Sequence, residues 1–425
     1  MYRYGRTKRT RKRKQTREGG IFVSTELISL CKWMKVESNK HGFRWKCHLC
    51  PAHFSDTGRG MMTKSRLFPG DLLISIPRPL LITVETALSS EIGEQVKCQN
   101  VKFTRQQLLS LFLLQEKNKG SNSLWHPYIS VLPKTLETFG NFSLREMTLF
   151  PPRLQIAVKS RMADMKQAYM EVRNFWSGEE IEYSQFLWAW FCVNSRSVFY
   201  RSAGSEFVRE DGNHLALAPY LDLLNHSVGA QEEAGYNQES GCYEIYTGDT
   251  YRKHNQVFIS YGNHDNYHLL VEYGFTLPDN PNDVFQVEYH QVRTSYDVLN
   301  AALSLGVDNM EKKKEIIQQQ SFHRQLVCSM EGMSWNLLLV TRILAMNWTE
   351  LEQWKLVLTG FAMSDRNNTL SRQIARTFLT KYIKQNQDLI TKFDTPLSPN
   401  TVEFMVFSIV QTERNILQLT WTSVT

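Results

Sequence analysis

Two strand-rich stretches, separated by a helical one and followed by a second helical one, limit what this chain can fold into. Between 43 and 85, Phe43, Trp45 and Cys47 alternate with polar residues, and Leu72, Leu73, Ile74 and Ile76 form a short apolar run between Gly70 and Pro77. Such runs, bounded by turn residues, read as strands. Strand signals return between 213 and 276, at Leu215–Leu217, Tyr243–Tyr246 and Gln256–Ser260. Between them the spacing is helical. Leu108, Leu109, Phe112 and Leu113 share one face of 104–117, and 153–175 continues the pattern. A shorter helix is expected over 25–36, and residues 185–199 are dense in aromatics. Past Val292 the periodicity is helical almost throughout. The expected fold class is therefore α+β. A strand-rich region (21–285) carries a helical insert near 104–190, and an all-helical domain fills 286–425.

The charge separates off a third part. Of the net +7, residues 1–18 carry nine bases against the single acid Glu18, so the remaining chain is close to neutral at −1. Residues 1–20 are expected to be a disordered basic tail. Arg9-Thr10-Arg11-Lys12-Arg13-Lys14 reads as a nuclear localisation signal or a non-specific, salt-dependent nucleic-acid contact. The seven cysteines are odd in number and scattered, which suits a reducing compartment. No apolar stretch follows the basic start as in a secretory signal, and no apolar run approaches the ~20 residues of a membrane span. A soluble, intracellular and mainly nuclear protein is the expectation, with the cytoplasm as a second compartment.

Three motifs stand out. Gly58-Arg59-Gly60 precedes a strand, where glycines let backbone approach a ligand or simply make a turn. It lacks the third glycine and the following helix of a dinucleotide fingerprint. Asn225-His226-Ser227 ends the apolar run Leu221-Asp222-Leu223-Leu224. That pair offers a carboxamide and a ring nitrogen, although alone it reads first as a turn with a satisfied histidine. Tyr261-Gly262 ends the third predicted strand, and Glu272-Tyr273-Gly274-Phe275 follows shortly after.

Taken in this order, the motifs resemble a SET domain. Trp125-His126-Pro127-Tyr128 with Leu132-Pro133, and Asn194-Ser195-Arg196, are similar to the branch of the Rubisco large-subunit lysine methyltransferases. Leu187-Trp188-Ala189-Trp190, Leu217–Ser227 and Val271–Phe275 resemble the SET-domain-containing protein 4 group within it. The resemblance covers roughly residues 25–425 and is strongest over 187–276.

The resemblance implies S-adenosylmethionine as cofactor and a protein lysine as acceptor; with the basic tail added, histone tails or other nuclear proteins are the expected substrates. The resemblance makes Tyr261 the catalytic tyrosine and a cofactor contact, its hydroxyl near the sulfonium and the incoming amine and orienting both. It assigns Asn225 and His226 to the cofactor, with their backbone at the adenine, and stacks Phe275 on that ring. It places backbone around Thr57 and Arg59, together with Ser195 and Arg196, at the amino-acid end, where Arg196 pairs with the carboxylate. Tyr273 and Tyr236 are its candidates for the lysine channel. It also implies that the helical C-terminal domain helps to bind the protein substrate. Two other functions fit the same motifs: protein-histidine N-methylation, and a non-catalytic chromatin-binding role that the intact Asn225-His226 and Tyr261 argue against.

Cys47-His48-Leu49-Cys50 with His53 resembles half of a zinc site. Four suitably spaced ligands are needed, and no second Cys or His pair follows nearby, so no metal is expected.

Overall fold

The structure, a computed structural model, describes residues 20–21, 24–134, 142–176, 180–202, 204–304, 309–393, 396–399 and 401–424. The basic segment 1–18, with its expected targeting and nucleic-acid roles, lies outside the described residues. The chain divides into two compact units. One comprises the described residues within Met1–Gly140 and Lys159–Asn263, the other those within Asn141–Val158 and His264–Thr425.

The first unit holds the strands β1 (Gly20–Ile21), β2 (Lys46–Cys47), β3 (Leu49–Phe54), β4 (Gly58–Thr63), β5 (Leu72–Pro77), β6 (Ser197–Phe199), β7 (Leu215–Leu217), β8 (Asn225–His226), β9 (Glu232–Asn237), β10 (Cys242–Thr247) and β11 (Gln256–Ile259). They form sheets ordered β1-β3-β4-β11-β8 and β2-β5-β10-β9, plus the pair β6-β7. The central placement of β11 matters most. It runs antiparallel to β4, with Gln256 opposite Met62, and parallel to β8, with Phe258 opposite Asn225 and Ile259 opposite His226. Three segments remote in sequence thereby meet at one sheet end. Strand β9 had no sequence signal; its Glu232-Glu233-Ala234-Gly235 lacks apolar alternation, and cross-strand pairing to β10 imposes the conformation.

Helices pack around these sheets. Helix α1 (Thr25–Lys40) starts where the Ser24 side chain accepts the Leu27 N–H, and it buries Leu27, Leu30, Trp33 and Met34. It continues beyond the expected Val36. Helix α2 (Arg105–Asn118) begins with a capping box between Thr104 and Gln107 and is buried on nearly every face. Helix α3 (Pro152–Phe175) and helix α4 (Tyr183–Arg196) follow; α4 delivers Ser195 and Arg196 at its last turn. Among the described residues no helix is long and apolar enough to cross a membrane. Nor does any group of three or more His, Cys, Asp or Glu lie together to hold a metal ion. The Cys47 thiol instead donates to the Leu49 carbonyl, and burial pushes it up to about 12.

The second unit is mainly helical: α5 (Tyr289–Leu303), α6 (Trp335–Ala345), α7 (Asp365–Ile390) and α8 (Val402–Ser423), with shorter turns. Leu337, Val340 and Ile343 of α6 pack with Ile374 and Phe378 of α7 and with Ile416 of α8 in one core. A small sheet of β12 (Phe285–Gln286), β13 (Val327–Ser329) and β14 (Gly332–Met333) interrupts the expected all-helical run. These strands are too short to give a period-2 pattern. The units divide at Asn263/His264, ahead of the expected 285/286 junction. Just past that division lies a local hydrogen-bond network: Asn266 is bound to both Asp283 carboxylate oxygens and to both backbone groups of Leu277. Tyr267 also donates to Glu413 of α8 at 2.7 Å.

Burial of Glu413 raises its carboxyl from 4.5 to about 7, although the Tyr267 hydrogen bond and the Arg153 charge pull the other way; Asp283 and Asp265 add to the rise. The folded value lies above the unfolded one. The contribution of this group is therefore fully present below about 4.5 and is lost as pH rises toward 7. Glu413→Gln should remove that loss. The variant is expected to gain stability over the parent at pH 8, by no more than roughly 3 kcal/mol, and to show little gain at pH 4.5. Thermal melts at both pH values test this; parallel pH dependence in the two proteins would refute it.

Candidate active site

The site is assembled at the shared end of β4, β8 and β11. The Asn225 side-chain amide donates to the Arg59 carbonyl at 2.9 Å, tying β8 to the Gly58-Arg59-Gly60 start of β4. The Tyr261 N–H donates to His226 Nδ1 at 3.0 Å, so neutral His226 carries its proton on Nε2. The Tyr261 ring stacks on the His226 ring at 5.1 Å and 26°, and its hydroxyl donates to the Leu224 carbonyl at 2.7 Å. Two contacts thus fix the phenol and a third fixes its backbone, all to the segment 224–226. The same segment follows Tyr220, a buried residue at φ +73°. A non-glycine residue there stores ~1–2 kcal/mol of strain, which the surrounding packing must offset.

A second cluster lies beside Arg59. Arg196, at the end of α4, donates through Nη1 to the Asp222 carboxylate and to the Asp222 carbonyl, each at 3.1 Å. Asp222 also accepts the Tyr128 hydroxyl at 3.1 Å. Burial draws the Arg196 guanidinium down, but the Asp222 charge, with Tyr128 and Cys192, more than offsets this and holds it above its ordinary value. Arg59 moves the other way. Burial lowers it first and the Arg196 charge adds to that, with Asp222 partly compensating. Two guanidiniums therefore share one carboxylate. The surplus positive charge suits a ligand with a carboxylate end.

Glycine makes room next to this cluster. A Cβ on Gly60 would stand 2.5 Å from Gln256 Nε2 and 2.9 Å from Asn225 Nδ2. Gln256 is itself held by the Thr57 hydroxyl, which donates to its Oε1 at 2.9 Å. The buried Gln256 Nε2 has no hydrogen-bond partner among the described residues. A tight backbone approach and an unused buried donor both fit a polar ligand lying along Gly58–Gly60.

The structure thus brings together Thr57, Arg59, Arg196, Asn225, His226 and Tyr261. Ser195 is adjacent to Arg196, but its hydroxyl donates to the Phe191 carbonyl at 2.7 Å; what remains for a ligand is its backbone and an acceptor lone pair. Tyr236 lies on β9, packed edge-on against Tyr200 at 5.4 Å and lining a surface hollow of about 410 Å³ with Glu233, Asn237 and Tyr246. Tyr273 and Phe275 belong to the second unit. They flank Gly274 (φ +78°) after the π-turn Leu269–Tyr273, with their rings 6.2 Å apart. Asp222, Tyr128 and Gln256 had no expected role. The only sequence signal for Asp222 was an acid embedded in the apolar run Leu221–Leu224.

Strand β8 runs parallel to β11, and the tyrosine that follows β11 is fixed on the Asn-His pair of β8, an arrangement that fits a methyltransferase of the SET type. The chain belongs to the SET-domain family, whose members use S-adenosylmethionine, and residues 58–262 match the SET domain. SET domain-containing protein 4 of Mus musculus is 34% identical over 92% of this chain and 89% of that protein. The SET domain of LSMT, solved with lysine and AdoHcy, shares the fold with a TM-score of 0.63 at 17% identity, over 95% of this chain and 91% of that one. The actin-histidine N-methyltransferase of Gallus gallus is 23% identical over 71% of this chain and 50% of that protein.

Proposed function

We propose that this chain is a nuclear protein-lysine N-methyltransferase acting on histone tails and other nuclear proteins. The fixed phenol of Tyr261 carries the catalytic part of this reading. The lysine acceptor rests on likeness to LSMT, which was solved with lysine. The nuclear location and the histone substrate rest on Arg9–Lys14 alone.

Bound S-adenosylmethionine supplies a methyl carbon already activated by its sulfonium. The chain's residues then have three tasks. Arg196, with Arg59 beside it, holds the carboxylate end. Asn225 keeps the Gly58–Gly60 backbone in place, and His226 orients Tyr261. Because the Tyr261 proton is engaged with Leu224, the phenol oxygen offers lone pairs to an incoming amine. That amine must be neutral, and a free lysine at pH 7.4 is only about 0.1% neutral. Desolvation and a neighbouring cation both lower its pKa. With the donor held there, its methyl would pass to the amine nitrogen and leave a neutral thioether, and the surplus proton on nitrogen would go to water. Alignment contributes most of the remaining acceleration.

The experiment is transfer of tritium from labelled S-adenosylmethionine to purified histones and to nuclear extract, using the full chain. Labelled histone with methyl-lysine in the modified peptide is the expected result. Cofactor binding without transfer to any histone or nuclear protein would overturn the substrate reading. A second reading, histidine N-methylation, is favoured by the similarity to the actin-histidine enzyme. Methyl-histidine in the labelled peptide would select it.

A further inference from the structure

We propose that Asp222 and Tyr128 form a buried positioning pair that sets Arg196 to receive the α-carboxylate of the methyl donor. The proposal rests on the cofactor role given to Arg196 above. The Asp222 side chain is 1% exposed and Tyr128 is fully buried. A carboxylate so buried is costly unless its charge and lone pairs are met. Here one oxygen, Oδ2, receives both the Tyr128 hydroxyl and Arg196 Nη1, each at 3.1 Å. The same Nη1 also donates to the Asp222 carbonyl at 3.1 Å. One residue therefore grips the guanidinium at two points, from its backbone and its side chain. Two anchors on one nitrogen fix the plane of the fork as well as its position. The remainder of Arg196 is not fully used: its side chain is 17% exposed, and its buried Nε has no hydrogen-bond partner among the described residues.

Arg59 explains why such a grip is needed. Its own Nη1 donates to the Val131 carbonyl at 2.9 Å, close enough to Arg196 for the two cations to disfavour each other. Asp222 offsets that repulsion and leaves one positive charge in surplus. Without it Arg196 would swing toward solvent. Tyr128 completes the pair. Burial first, and the Asp222 charge next, push its phenol well above the ordinary value, so it remains a neutral donor to Asp222. Tyr128 and Arg196 both donate to Asp222, and only Arg196 meets the ligand.

The test compares two probes on the full chain by calorimetry. S-adenosylhomocysteine carries the amino-acid end; 5′-methylthioadenosine lacks it. The parent should prefer S-adenosylhomocysteine at least tenfold. Asp222→Asn should weaken that probe about tenfold or more and Tyr128→Phe about threefold, while 5′-methylthioadenosine binds each variant within twofold of the parent. Arg196→Met should lose the preference. If Arg196→Met loses it but Asp222→Asn and Tyr128→Phe keep it, the positioning role is wrong and the Arg196 assignment stands. If the parent shows no preference, the Arg196 assignment itself fails. Equal weakening of both probes would mean general damage and would also overturn the proposal. Should Asp222→Asn not fold, Tyr128→Phe decides.

Discussion

Tyr261→Phe is expected to slow methyl transfer at least a hundredfold while leaving S-adenosylhomocysteine binding within about threefold. The substitution removes one atom from a side chain that is otherwise held in place. The ring can still stack on His226. The hydrogen bond from the backbone N–H to His226 Nδ1 does not involve the side chain and survives. Only the hydroxyl and its bond to the Leu224 carbonyl disappear. The stability cost of that bond is about 1 kcal/mol. Its catalytic cost is larger, because the oxygen is fixed before the amine arrives and needs no reorganisation. Losing one such preorganised group costs roughly 10²–10³-fold, or about 2.7–4 kcal/mol. Single-turnover transfer of tritium gives the rate, and calorimetry gives the binding. A variant that transfers methyl within fivefold of the parent would remove Tyr261 from the mechanism.

That expectation could be written from the sequence because Tyr261 sits in a run of motifs, not because of any property of a tyrosine after a strand. The same holds for Asn225 and His226. Each is ordinary alone, and the pairing of β8 with β11 turns their order in sequence into proximity in space. The helices were legible for a different reason. Leu108, Leu109, Phe112 and Leu113 of α2 recur at helical spacing, a signal that a short window of sequence contains. Strand β9 carried none, and neither did the three short strands of the second unit. Their conformation comes from partners elsewhere in the chain, which a window along the sequence does not contain.

The electrostatics of the site were legible only in part. Arg196 was singled out for a carboxylate, and the structure leaves its buried Nε without a hydrogen-bond partner among the described residues. What the sequence concealed is that its Nη1 belongs to Asp222. The grip depends on a 3₁₀ turn at Leu221–Leu223 that presents both the carbonyl and the carboxylate of one residue to the same nitrogen. Tyr128 reaches that carboxylate from 94 residues away in sequence. Side-chain hydrogen bonds over such separations leave no periodicity to read.

Gly60→Ala should have the second largest effect, on cofactor affinity more than on rate. The added methyl would lie 2.5 Å from Gln256 Nε2, 3.2 Å from its Cδ and 2.9 Å from Asn225 Nδ2. Neither neighbour is free to retreat. Gln256 is buried and accepts the Thr57 hydroxyl, and Asn225 donates to the Arg59 carbonyl. Relief of the clash must therefore break one of these bonds or move β4 away from β11. Overpacking costs ~1–3 kcal/mol, and a buried polar group left unpaired costs about as much again. Both costs fall on the Gly58–Gly60 backbone, so S-adenosylhomocysteine should bind at least tenfold more weakly, the equivalent of about 1.4 kcal/mol. Gly58→Ala provides the contrast. Its Cβ would meet nothing within 4 Å, and only the backbone at φ +68° resists, at a cost of roughly 1–2 kcal/mol in folding. Its ligand affinity should fall less than that of Gly60→Ala. Equal affinities for the two variants, measured by calorimetry on folded protein, would show that the space above Gly60 is not where the cofactor lies.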